Sequence, residues 1–140
     1  MKRLFAPGND STLTSFGLLM LRLWLGLAMF FNHGLDKLNH FSAMSSKFPD
    51  PLGIGPAPGL ALVTFAETAG AMLLAAGLLT RFAALTLMID LGVAFFMVHK
   101  MALSGPGNGE MAFIYLAGYV TLFIAGGGRF SFDKALFGKK

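Results

Sequence analysis

The chain has 140 residues, of which 55% are hydrophobic and only 13% charged, with a mean hydropathy of +0.67. Soluble domains carry about a quarter of their residues as charges, so this composition excludes that class and gives a single integral membrane domain over 1–140, with no room for a separate soluble catalytic module. Cysteine is absent and the net charge is +4, which excludes disulfides, thiolate nucleophiles and cysteine-ligated clusters; redox work needs a bound cofactor or a partner, and nucleic acid is not expected as one.

Met1, Lys2 and Arg3 look like the basic start of a secretory signal. Pro7 to Thr14 is polar, however, and the apolar run beyond it is longer than a signal's, so a retained first helix is expected, over about Ser15–Asn39. That helix carries Arg22, His33, Asp36 and Lys37. At about 100° per residue, Arg22 and His33 point the same way after three turns and a small remainder, with Gly26 and Met29 on the same line and Lys37 one turn further. Charged groups at mid-bilayer depth cost about 2.5–3.5 kcal/mol even on lenient scales, so this stripe faces other helices or a water-filled cavity.

Three more apolar helices are expected over about Leu60–Leu79, Phe82–Met101 and Met111–Gly126, giving an all-α, antiparallel bundle of four transmembrane helices. The fourth is short unless flanking residues complete it. Only Thr80 and Arg81 separate the second and third, which forces a hairpin. The Gly-rich Ala102–Glu110 forms another, and His40–Gly59, holding Pro49, Pro51, Pro56 and Pro58, is the one long loop. Phe41, Met44 and Phe48 dock that loop on the membrane surface or over the mouth of the bundle. Small residues, Ala66 with Gly70 and Ala71 with Ala75, favour close helix packing.

Lys2, Arg3, Arg81, Arg129, Lys134, Lys139 and Lys140 fall on the side of the termini, against Lys37, Lys47 and Lys100 on the other. This asymmetry puts both termini in the cytoplasm. The tail, 127–140, alternates aromatics with lysines and is expected to lie in the headgroup region.

Depth along the helices pairs the polar residues. Arg22 and Asp90 fall at similar height near the terminal side and are expected as a structural ion pair between helices one and three. His33 and Glu67 match in the other half, with Lys37, His99 and Glu110 near its mouth. His33, Glu67, His99 and Glu110 are the catalytic candidates, and Lys37 and Gly70 the ligand-binding ones; acid, base and imidazole groups in an apolar bundle suit proton handling. A hydrogen-bonded plug satisfying the helix ends is the structural alternative. A metal is not expected, because neither His-x-x-x-His nor Glu-x-x-His occurs. His99 follows Asp90 by half a turn of azimuth, so on a regular helix one of them faces away from the bundle centre.

The stretches LRLWLGLAMFFNHGLDKL, FAETAGAMLLAAGLLTRFAAL, GNGEMAFIYL and GGGRFSFD resemble the DoxX family of small four-helix bacterial and archaeal membrane proteins, over about Leu21–Asp133. The matching positions are Arg22, Gly34, Lys37, Glu67, Gly70, Gly77, Thr80, Arg81, His99, Glu110 and Arg129 with Phe130. The resemblance implies a multi-pass protein of the cytoplasmic (inner) membrane, associated with oxidoreductases. Related subunits belong to a thiosulfate:quinone oxidoreductase, and other relatives assemble with soluble redox-defence enzymes. Thiol–disulfide exchange, found in the wider superfamily, does not carry over to a chain without cysteine.

Two functions follow as expectations. One is the membrane subunit of a quinone-linked oxidoreductase, with His33 and His99 as donors to the ring oxygens, Glu67 and Glu110 as proton acceptors and Lys37 as charge balance. The other is a non-enzymatic scaffold that anchors partner redox enzymes through its tail and outer loop. Solute transport draws only on the buried charges, and four helices enclose too narrow a space for a pore unless the chain forms a homo-oligomer, which the sequence leaves open.

Overall fold

The computed structural model describes residues 12–138; Met1–Ser11, with Lys2 and Arg3, and Lys139 and Lys140 lie outside them. The described residues are helical with connecting loops and contain no strand. Three helices are long and apolar enough to cross a membrane: α1 (Thr12–Asn39), α2 (Pro56–Ala76) and α3 (Thr80–Val98). The shortest of them, α3, rises about 28 Å, close to the thickness of the hydrocarbon core. A fourth apolar helix, α4 (Glu110–Ala125), is 16 residues long and rises about 24 Å. The chain is thus a multi-pass membrane protein whose α4 falls short of the spanning length of the other three.

Local chemistry sets the helix boundaries. Pro56 opens α2 at its first turn, where a missing N–H costs nothing, directly after Gly55 at φ 100°. Gly77 closes α2 at φ 72°, with its N–H on the Leu74 carbonyl and the Leu78 N–H on the Leu73 carbonyl, a left-handed stop that side chains resist. The α2–α3 connection is therefore Gly77–Leu79, and Thr80 and Arg81 lie in the first turn of α3 rather than in the link. Arg81 donates to the Ile124 carbonyl at the end of α4, where a cation meets the negative pole of the helix.

Each long helix widens into one π-helical turn: Phe30–Gly34 in α1, Ala66–Gly70 in α2 and Ala94–Val98 in α3. Such a turn inserts one residue into the α ladder and rotates everything beyond it, and it occurs mostly at functional sites. His33 and Glu67 lie within two of these turns and His99 directly follows the third.

α1 and α2 cross at contact distance because α1 presents glycine there. A Cβ on Gly34 would sit 2.4 Å from the Glu67 carbonyl oxygen, and one on Gly26 would sit 2.7 Å from that of Ala71. Gly34→Ala is accordingly expected to force the helices apart and lower stability by about 1–3 kcal/mol. Gly17→Ala, whose Cβ meets nothing within 4 Å, should melt with the wild type in the same detergent. On the other flank, α4 packs Gly118 against Leu25 of α1. Leu18, Met29, Leu74, Leu87, Tyr119 and Leu122 fill the centre.

The end of the bundle where α1 begins, the terminal end, is closed by the segment after α4. Ser131 and Asp133 are buried. The Asp133 carboxylate accepts from the Leu79 N–H (2.7 Å) and the Thr80 N–H (2.9 Å), capping an α3 whose own cap residue, Leu79, has no side-chain acceptor. In return the Asp133 N–H donates to the Gly77 carbonyl at 2.9 Å. The tail expected in the headgroup layer thus starts as a wedge built into the bundle. Among the described residues of the tail, the outer face of the short α5 (Phe132–Phe137), with Phe132, Leu136 and Phe137 exposed, is left to meet a membrane surface.

Arg22 belongs to this knot. Its guanidinium is 2% exposed and donates to the carbonyls of Ala75 (3.1 Å), Gly127 and Phe130. The ion pair expected between Arg22 and Asp90 does not form. The end of α2 and the loop after α4 offer unpaired carbonyls at the height of Arg22, and a planar fork of donors satisfies several of them at once.

Candidate functional site

At the opposite end, where the two longer loops lie, α1, α2, α3 and α4 enclose a cavity of about 580 Å³. This is within the size range of small-molecule sites. Most of its wall is apolar, contributed by Met29, Ala66, Leu91, Ala94 and Ala112 among others. The first loop, Phe48–Ile54, covers it. Asp50 fixes that cover by accepting from the Ile54 and Gly55 N–H groups, both at 2.9 Å, so of the two places expected for the long loop it takes the mouth of the bundle.

A few polar side chains interrupt the apolar wall: His33 and Lys37 from α1, Glu67 from α2, Thr86 and Asp90 from α3, Tyr115 from α4, and His99 just past α3. Lys37 Nζ donates to Glu67 Oε2 at 2.6 Å, with side chains 16% and 7% exposed. The pairing follows from the α1–α2 crossing at Gly34, which brings the Lys37 stem, one turn on, over the Glu67 backbone. Two charges taken so far out of water persist only when paired. The His33 ring stands edge-on to Tyr115, centroids 6.0 Å apart at 84°, and Tyr115 in turn lies 6.0 Å from Tyr119. Tyr119 OH donates to the Leu25 carbonyl at 3.4 Å.

His99 Nδ1 lies 2.7 Å from the Gly107 carbonyl. A carbonyl only accepts, so Nδ1 carries the proton and Nε2 is left for other partners. His99 and Asp90 both line the cavity although a regular helix would set them half a turn apart. The π-helical turn Ala94–Val98 supplies the difference, because an inserted residue takes back about 100° and leaves them about 80° apart.

Asp90 is where the site departs most from expectation. Freed of Arg22, it lines the cavity, and its Oδ2 is buried with no hydrogen-bond partner among the described residues. Two other expected positions lie elsewhere. Glu110 is exposed in the first turn of α4, where a carboxylate suits the positive helix pole, and it does not line the cavity. Gly70 is buried against α3, where a Cβ would meet Thr86 Oγ1 at 3.3 Å, and it does not line the cavity. His33, Lys37, Glu67 and His99 are brought together as expected, and Asp90 and Tyr115 join them. One sequence signal pointed to Tyr115: the two tyrosines, four apart on one helix, share a face, and their hydroxyls require partners inside an apolar bundle. Among the described residues no three His, Asp or Glu side chains converge as metal ligands.

The DoxX family model matches residues 17–100, a span that holds His33, Lys37, Glu67, Asp90 and His99. An uncharacterized protein of Haemophilus influenzae is 36% identical to the chain over 124 residues, covering 83% of this chain and 80% of that protein. No solved structure matches.

Proposed function

We propose that this chain, which belongs to the DoxX family, is the membrane subunit of a redox system and binds a quinone in the cavity between its helices. The supporting observation is a mostly apolar chamber of about 580 Å³, ample for a quinone ring, whose wall carries a few acid, base and imidazole groups, with the buried Asp90 Oδ2 lacking a partner among the described residues. Buried polar atoms are almost always satisfied, and a hydroxyl or carbonyl-bearing ring is the kind of guest that satisfies this one. A quinone supplies the electron chemistry, taking up two electrons and two protons to become the hydroquinone.

The chain's own part is binding and proton placement. His33 and His99 Nε2 face the guest as imidazole groups, Asp90 takes the role expected of Glu110, and Glu67 exchanges protons while held by Lys37. The loop Phe48–Ile54 keeps bulk water off the polar side. In this reading α4 completes a fourth crossing, and both termini face the cytoplasm of a bacterial or archaeal inner membrane, which the Lys and Arg asymmetry supports. A partner enzyme, soluble or membrane-bound, exchanges electrons with the ligand. The alternative, a non-enzymatic scaffold that anchors partner redox enzymes through its tail and outer loop, would present a tail that begins tied into the bundle by Asp133 and Arg22.

Thermal melting in lipid nanodiscs with and without a short-tailed benzoquinone tests the reading. Saturation at about 100 times Kd stabilises a one-site protein by about 2.7 kcal/mol, an upward shift of several degrees. Asp90→Asn and Glu67→Gln should each fold and lose most of that shift. A wild type whose melting does not respond to the quinone removes the proposal.

A further inference from the structure

The wall of the cavity is not closed on all sides. Leu62 and Phe65 of α2 and Ile89 of α3 line the chamber and yet are 61%, 58% and 60% exposed on the outer surface, and at the loop end Leu52, Ile54, Val98 and Met111 also line it while partly exposed. A side chain that borders a cavity and the outside together marks the edge of an opening. The helix contacts agree, since the outer half of α2, Pro56–Phe65, packs on α1 and on the turn Phe41–Met44, and the main packing of α3 on α2 begins only at Ala66. Leu62, Phe65 and Ile89 lie within helices of membrane-spanning length, so the opening between them faces hydrocarbon. Asp90, next in the chain to Ile89, stands just inside it.

We infer that the cavity is entered sideways from the bilayer, between the outer halves of α2 and α3, and that its ligand is a lipid-soluble molecule with a compact polar head at Asp90 and an apolar tail leaving between Phe65 and Ile89. The argument is one of solvents. Leu52 and Ile54 in the loop above are apolar, so a water-soluble guest would cross oily surface at the lid or at the slot, whereas a molecule already dissolved in the membrane leaves one apolar medium for another. The tail need not be buried by the protein, because lipid surrounds it at the slot. The polar head gains hydrogen-bond partners inside the chamber, at Asp90, and none in the lipid, and this orients the molecule. The ligand class rests on the quinone-site reading above; the direction of entry does not.

Two measurements on the full chain in nanodiscs separate these parts. Because the chain has no cysteine, a single spin label on Ala94→Cys, or on Val93→Cys should the first fail to fold, reports only from inside the cavity. Lipid-soluble oxygen should relax it strongly and a water-soluble nickel chelate weakly. Preferential relaxation by the chelate shows an aqueous mouth and overturns the lateral route. Protection from both agents shows a wall closed by a second copy or by packing and overturns it equally. The second measurement titrates a tailless benzoquinone and its decyl-tailed counterpart. The wild type should bind the tailed form at least about tenfold more tightly, and Ile89→Trp or Phe65→Trp should erase that preference by weakening the tailed form far more than the tailless one. Phe16→Trp, on a lipid face remote from the slot, should keep it. An undiminished preference in both slot variants overturns the tail path. Binding of neither quinone, with oxygen still favoured over the chelate, removes the quinone reading and leaves the lateral entrance standing.

Discussion

Arg22→Met is expected to leave little or no folded protein. The substitution preserves apolar bulk, so α1 should still insert, but it strips donors from the carbonyls of Ala75, Gly127 and Phe130 at once. Each buried carbonyl left unpaired costs about 1–3 kcal/mol, and a loss on the order of 3–5 kcal/mol or more consumes much of a stability that is commonly 5–15 kcal/mol. Arg22→Lys keeps the charge without the planar fork and should recover only part of the loss. Size-exclusion profiles and melting curves after detergent extraction read the outcome directly. If Arg22→Met gives a monodisperse peak and melts beside the wild type, Arg22 does not hold the terminal end together.

Lys37→Met should have the second largest effect, and a double variant makes it informative. Removing the lysine leaves the Glu67 carboxyl, 7% exposed, without its 2.6 Å partner. Breaking a buried pair from one side costs about 3–5 kcal/mol, and the lower end applies because the Lys37 side chain keeps 16% of its surface exposed. Replacing both, Lys37→Met with Glu67→Met, exchanges the pair for apolar packing and should restore stability to within about 1 kcal/mol of the wild type. The same double variant should no longer be stabilised by quinone. A double variant as unstable as Lys37→Met alone would mean that the lysine acts through contacts other than Glu67. One that keeps the quinone response would place the ligand away from the pair.

The contrast between these two residues shows what the sequence can and cannot specify. The buried stripe of α1 up to Met29, with Arg22 and Gly26, follows from the helical period, whereas His33 and Lys37 lie in and beyond the π-helical turn, which rotates them relative to that stripe and still leaves them on the cavity. Matching residues between helices by depth fixes only their height. It gathered His33, Lys37, Glu67 and His99 correctly, yet it paired Arg22 with Asp90 because azimuth and competing acceptors are invisible to it. The acceptors that prevailed, the carbonyls of Gly127 and Phe130, belong to a glycine-rich segment whose side chains announce nothing. Asp90 and His99 share the cavity only because one turn of α3 is wound differently, and AFFMV carries no residue that signals a π-helical turn in advance. Glu110 lies off the cavity for a simpler reason: it sits in the first turn of its helix, where a carboxylate complements the helix pole.

The knot at the terminal end also constrains how the protein can be made. Gly127, which supplies one of the Arg22 acceptors, is 105 residues further along the chain. At about 5–20 residues per second, a ribosome reaches it about 5–20 s after Arg22. For the first half of that interval the Arg22 guanidinium has none of its final acceptors, and for the rest it has at most the Ala75 carbonyl, 53 residues on. The nascent first helix is therefore a natural client for a membrane chaperone or a quality-control protease, and its maturation is timed by the emergence of a few glycines.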